Sequence, residues 1–167
     1  RNPYDHAVYS ENQGLFLPSF ALTCNIVARL FAQKSNTVAA RFLSQYQNKG
    51  DGVGWHAQNT LIDYGQSSIL HYPSSADFNQ KSAVNVGKRV ALPFVKDSLK
   101  MALLEDALHD SSVADYVKQL TGLQDPEILV ALGKYFDRPA RLLFPWNGKN
   151  GVSCKEKQAA WFGCDYN

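Results

Sequence analysis

The sequence lacks any uninterrupted run of about 18 apolar residues, which is the length that a membrane-spanning helix requires. An excess of one charge sign is also missing, because 17 basic residues stand against 15 acidic ones and the net charge is +2. Proteins that bind nucleic acids usually concentrate basic residues on one face or in one run. We therefore expect neither a membrane span nor nucleic-acid binding.

The common short motifs of metal and phosphate chemistry are absent as well. His6, His56, His71 and His109 show no ligand spacing, and neither a His-Glu-x-x-His nor a Cys-x-x-Cys motif occurs. The sequence contains no glycine-rich phosphate loop and no Gly-x-Ser-x-Gly nucleophile turn. No metal site is predicted from this chain alone, and the least unfavourable ligand set combines His56 and His71 with Asp63.

Cysteine is scarce, with Cys24, Cys154 and Cys164 as the three examples. The last two lie close together in a tail rich in glycine and asparagine, which favours a local disulfide between them. In an oxidising compartment such a bond would contribute about 2–3 kcal/mol. The sequence begins at Arg1 without the apolar core of a signal peptide, so we expect a mature or excised segment of a secreted, extracellular protein.

Apolar residues are plentiful at 45%, and with 167 residues the chain is long enough for one core. We predict a single domain, 1–167, of the α+β class, predominantly helical, with a short irregular β segment in the middle. Its four parts are a helical hairpin over 19–50, an irregular and β-containing segment over 51–92, a helical segment over 93–138 and a cysteine-bearing tail over 139–167.

The hairpin is predicted from apolar residues that recur every three or four positions. In the first helix, between Ser19 and Lys34, these residues are Leu22, Ile26, Val27, Leu30 and Phe31. A second helix follows with Asn36 or Thr37 as its cap and Gly50 as its end. Its predicted buried side consists of Val38, Phe42, Leu43 and Tyr46.

The remaining elements follow from β-favouring runs and helix boundary signals. Two runs, 60–62 and 67–72, are predicted as strands, with Pro73 ending the second. A helical face after Pro93 consists of Leu99, Leu103, Leu104 and Leu108. A further helix is predicted from a Ser112 cap to Gly122, and another begins at Asp125-Pro126-Glu127. The buried face of this last helix is predicted to be Ile128, Leu129, Leu132, Tyr135 and Phe136.

Cys24 is the first candidate for chemistry, because a thiolate near the start of a helix is stabilised by the helix dipole and can act as a nucleophile beside a histidine. His71 and His56 are the available partners. The alternative is that Cys24, between Leu22 and Ile26, is a small buried apolar side chain or half of a disulfide.

Aromatic residues among the glycines of the middle segment are the second candidate. Trp55, His56, Tyr64 and Tyr72 are predicted to form a surface that binds a protein or peptide partner. The alternative is that these rings cover the edge of the core.

One stretch resembles a known family. Asp63-Tyr64-Gly65-Gln66-Ser67-Ser68-Ile69-Leu70-His71-Tyr72-Pro73-Ser74 is similar to the Met-turn region of astacin-like zinc metallopeptidases, which belong to the metzincins. Arg1-Asn2-Pro3-Tyr4 and the element from Phe20 to Asn25 also resemble segments of fungal members. The resemblance implies that Tyr72 would approach the zinc and stabilise the oxyanion, with Leu70 in place of the methionine. The helix with the zinc ligands is absent from these 167 residues, so zinc is expected only where a complementary segment supplies them.

Three functional hypotheses follow. The first is a secreted, hydrolase-like protein derived from or part of a zinc metallopeptidase, with Tyr72 and His71 at its site. The second is a non-catalytic secreted effector or toxin-like binding module. The third is a hydrolase that uses Cys24 with His71. Whether the chain is an enzyme stays open at this point.

Overall fold

The computed structural model describes residues 3–15, 18–46, 54–63, 68–71, 88–91, 102–137, 140 and 157–163. Six helices lie in this part of the chain: α1 (Pro3–Asn12), α2 (Phe20–Ala32), α3 (Thr37–Tyr46), α4 (Leu104–Ala107), α5 (Ser111–Thr121) and α6 (Glu127–Tyr135). Four strands accompany them: β1 (Gly54–Asp63), β2 (Ser68–His71), β3 (Lys88–Ala91) and β4 (Lys157–Gly163). The protein is therefore α+β and predominantly helical, as predicted.

No helix within the described ranges combines the length and the apolar character needed to cross a lipid bilayer.

Side chains next to the helix ends explain where the helices begin and stop. The Ser19 hydroxyl accepts a hydrogen bond from the Leu22 amide at 3.1 Å and caps α2. The Asn36 side chain accepts from the first amides of α3, which confirms it as a cap. The prediction that Ser112 caps α5 is wrong. Asp110 caps the helix instead, because its carboxylate accepts hydrogen bonds from the backbone amide and the hydroxyl of Ser112, at 2.9 and 2.6 Å.

The strands form one antiparallel sheet in the order β3-β2-β1-β4. The two predicted strands are confirmed as β1 and β2, although β1 begins six residues earlier than the run 60–62. The strands β3 and β4 and the helix α1 were not predicted from the sequence. β4 lies in the tail and pairs with β1, which is far away in the sequence, so no local turn signal marks this pairing.

The main core lies between one face of the sheet and the helices. Ile62 and Ile69 face each other across β1 and β2 and are buried against α2, α5 and α6. Leu70 points to the opposite face and is also buried. Because all four residues of β2 are buried, the strand is covered on both sides, and α1 lies against the neighbouring strand β1.

A second, smaller cluster joins α3 to α2 and α6 through Leu43, Val27, Leu132 and Phe136. Here the predicted buried faces need correction. Val38 and Phe42 are 63% and 49% exposed, and Ala39 is buried with Leu43 in their place.

Other residues of the predicted apolar faces are also exposed, namely Ile26, Leu103 and Tyr135. The apolar periodicity predicted these helices correctly. The buried stripe on each helix is narrower than its apolar face, because the neighbouring elements cover only part of that face. The helix predicted around Leu103 is also shorter in the described residues, where α4 spans only Leu104–Ala107, and Leu99 lies outside them.

Gly122 ends α5 with a φ of 65°, a conformation that side chains with a Cβ adopt at a cost of about 1–2 kcal/mol. A Cβ at this position would also lie 3.2 Å from the Ala21 Cβ of α2. We expect Gly122→Ala to lower the free energy of unfolding by about 2–3 kcal/mol, measured by urea unfolding.

Gly14→Ala is the matched control, since Gly14 has a φ of 63° and no atom within 4 Å of the added Cβ. Gly14→Ala should lower the free energy of unfolding by about 1 kcal/mol, which is the cost of the positive φ alone. Equal losses at the two positions would show that the close approach of α2 to α5 contributes nothing.

Candidate functional site

A pocket of about 450 Å³ opens where the end of α5 meets β2, β3 and the start of α2. This volume lies within the range of small-ligand sites. The described lining residues are Ser19, Ala21, His71, Val90, Lys118, Gln119, Gly122, Leu123 and Gln124. Lys118 carries the one full charge among them apart from any proton on His71, and none of these described residues is a carboxylate.

His71 is held in the wall of this pocket by hydrogen bonds at both ring nitrogens. Its Nδ1 lies 3.3 Å from the Thr60 hydroxyl, directly across the β1–β2 pair. Its Nε2 lies 3.3 Å from the backbone carbonyl oxygen of Gln119 in α5. The Thr60 hydroxyl also accepts the backbone amide of Phe20, at 2.9 Å. Two strands and two helices therefore meet at these two side chains.

The Gln119 carbonyl determines which nitrogen of His71 carries the proton. A carbonyl oxygen can only accept, so Nε2 must donate to it. In the neutral ring Nδ1 is then an acceptor, and the Thr60 hydroxyl donates to it. With its lone pair directed at Thr60, the neutral imidazole presents no free base or metal ligand to the pocket.

The same contacts organise the end of α5. The last carbonyls of a helix have no partner within it and need donors from elsewhere. His71 supplies a donor to Gln119, and the Asn25 side chain of α2 donates to the Thr121 carbonyl at 3.2 Å. The Gly122 amide donates to the Lys118 carbonyl at 2.7 Å. These bonds hold the turn that carries Lys118 and Gln119 against the pocket.

Cys24 lies in the main core, with 6% of its surface exposed. Burial raises the pKa of its thiol from the ordinary value of 9.0 to about 12. Cys24 forms no disulfide bond with any described residue, and its sulfur makes no hydrogen bond to His71. This environment keeps the thiol protonated at neutral pH, in keeping with the buried, apolar alternative.

The other predicted site residues are only partly described. Trp55 and His56 belong to β1, where their backbones pair with Phe162 and Trp161 of β4. Tyr64 and Tyr72, predicted for binding and catalysis, lie outside the described residues, as do Cys154 and Cys164 of the predicted disulfide. Within the described part of the chain, no three His, Cys, Asp or Glu side chains come together as a possible metal site.

His71 was predicted from the sequence as a site residue, but the residues around it were not. A threonine inside a β-favouring run, such as Thr60, gives a weak signal, since a buried polar side chain needs a partner. Gln119 takes part through its backbone, and no residue pattern reports a backbone contact over 48 positions. Lys118 was not distinguished from the other lysines.

Comparisons of the chain with models of known protein families, with curated proteins and with solved structures found no match. The pocket and the residues around it are therefore the basis for a functional conclusion.

Proposed function

We propose that this protein is a non-catalytic, secreted binding module that takes up a short segment of a protein partner in the pocket beside His71. The observation that carries the proposal is the pocket itself, with its volume of about 450 Å³ and its mixed lining. Ala21, Val90 and Leu123 supply apolar surface, and Lys118, Gln119 and Gln124 supply polar groups. Binding sites for small molecules and side chains commonly combine apolar walls with a few polar groups.

The state of the two described candidates for catalysis supports binding over hydrolysis. The ring nitrogens of His71 are engaged by Thr60 and Gln119, so the histidine forms part of the wall. The Cys24 thiol is buried in the core with a raised pKa, far from the thiolate that a nucleophile requires. Binding needs neither group to react.

The predicted aromatic surface extends this proposal beyond the pocket. Tyr72 directly follows His71 in the sequence, and Trp55 belongs to the strand that pairs with β2. We expect these residues, with His56 and Tyr64, to contact the parts of the partner that lie outside the pocket. Aromatic side chains are the usual anchors of such contacts.

Selection from a displayed library of random heptapeptides tests the proposal. Enriched peptides should bind the purified chain, and Gln119→Trp should weaken that binding about tenfold or more, because Gln119 is exposed and lines the pocket. Asp115→Trp is the matched control, since Asp115 is exposed one turn earlier in α5 and is not among the lining residues. Absence of enrichment, or equal binding to both tryptophan variants, would contradict the proposal.

The same peptides distinguish binding from the metallopeptidase hypothesis. Incubated with the chain, with and without a chelator, they should remain intact by mass spectrometry. Cleavage that the chelator abolishes would overturn the proposal in favour of a zinc peptidase.

A further inference from the structure

The distribution of charge in the pocket indicates what its ligand carries. Lys118 lies in the last turn of α5 and is partly buried, and it makes no ion pair or hydrogen bond through its side chain among the described residues. Lys134 in α6 differs, because its ammonium group lies 2.8 Å from a Glu105 carboxylate oxygen. A lysine that lines a pocket without an anionic partner favours a ligand that provides an anion.

Donors from other elements already engage two carbonyls at the end of α5. Unpartnered carbonyls at a helix end carry partial negative charge and would partly neutralise a nearby cation. Here His71 donates to the Gln119 carbonyl and Asn25 donates to the Thr121 carbonyl. Lys118 remains the one side chain with a full charge among the described lining residues, apart from any proton on His71.

Neutral groups also line the described part of the pocket around Lys118. Gln119 and Gln124 are exposed at the pocket, and each side-chain amide can donate two N–H groups to an acceptor. Val90 and Leu123 add apolar surface that suits a short hydrocarbon stem. A carboxylate on such a stem would contact the cation at one end and the apolar wall along its length.

From these observations we infer that the pocket recognises a carboxylate on a short apolar stem, with Lys118 as its charge partner. This inference rests on the proposed function and specifies the group that the partner inserts. Either an acidic side chain or a chain terminus can supply that carboxylate.

Simple probes test the inference by NMR titration of the full chain, monitored at the amides of Lys118, Gln119 and Val90. N-acetyl-glutamate amide should shift these signals with a dissociation constant about five- to tenfold lower than that of N-acetyl-glutamine amide. The two probes differ in the carboxylate alone. N-acetyl-alanyl-alanine with a free terminus shows whether a chain end binds in the same way as a side chain.

Substitutions at Lys118 test whether this residue causes the preference for the glutamate probe. Lys118→Gln should remove the preference for the glutamate probe, and Lys118→Arg should restore it. Lys134→Gln is the matched control, because it removes the same charge from a helix outside the pocket lining and should leave the preference unchanged. The preference should also weaken as salt is raised.

Equal affinity for the glutamate and glutamine probes, absence of saturation at tens of millimolar, or an undiminished preference in Lys118→Gln would overturn the inference. The heptapeptide selection does not depend on an acidic residue. Neutral peptides that bind wild type and fail on Gln119→Trp would therefore preserve the proposed function while the inference fails. If the glutamate probe binds as expected but no peptide is enriched, the inference holds and the proposed function fails.

Discussion

Thr60→Val is expected to lower the free energy of unfolding by about 2–4 kcal/mol, although valine has nearly the same shape as threonine. The Thr60 hydroxyl accepts the Phe20 amide at 2.9 Å and donates to His71 Nδ1 at 3.3 Å. Valine leaves both groups without this partner in a buried site, and each such loss costs about 1–3 kcal/mol. Urea unfolding with an unchanged denaturant slope measures the effect as a shift in midpoint.

Thr60→Ser is the control that isolates the hydroxyl group. Serine keeps both hydrogen bonds and loses one buried methyl group, for an expected loss of about 1 kcal/mol. If valine proves as stable as serine, the hydrogen bonds between α2, β1 and β2 contribute no net stability, and the pocket wall is held by apolar packing alone.

At pH 8 the Cys24 thiol in the folded protein should react with iodoacetamide about a thousandfold more slowly than in the unfolded chain. Alkylation requires the thiolate, whose fraction below the pKa falls about tenfold for each pH unit between pH and pKa. Burial raises the pKa of Cys24 from 9.0 to about 12 and also restricts access to the sulfur. Mass spectrometry of the tryptic peptide that ends at Arg29 reports this cysteine separately from Cys154 and Cys164.

The unfolded chain in guanidinium chloride provides the reference rate for this labelling. A rate in the folded protein within tenfold of the reference would mean that the thiol is accessible and activated. That result would favour the hydrolase hypothesis with Cys24 as nucleophile over the binding module.

Helix positions followed from the sequence because their signals are local. Apolar spacing predicted α2, and Gly122 marked the end of α5, where its φ is positive. For α6 the Asp125-Pro126-Glu127 signal predicted the start of the helix, although Pro126 rather than Asp125 is the cap residue. The Asp125 side chain nevertheless accepts the Glu127 amide at 3.0 Å. Each of these signals acts within a few residues of the element that it begins or ends.

Burial was less predictable from the same spacing. An apolar side chain on a helix is buried only where another element covers it, and the neighbours of α3 cover Ala39 and Leu43 but not Phe42. The predicted face was therefore broader than the one that packs. Likewise, β4 was missed because its partner in the sheet, β1, comes from a distant part of the chain.

The sequence by itself determined the class of the fold, the position of α2, the start of α3, the end of α5, the start of α6 and the two strands that carry Ile62, Ile69 and His71. Only the tertiary structure decided what His71 does, because its partners Thr60 and Gln119 are brought to it by strand pairing and by the docking of α5. The pocket beside Lys118 arises in the same way, from elements that are far apart in the sequence. Local propensities act over a few residues, whereas a binding site depends on contacts that form only when the whole chain packs.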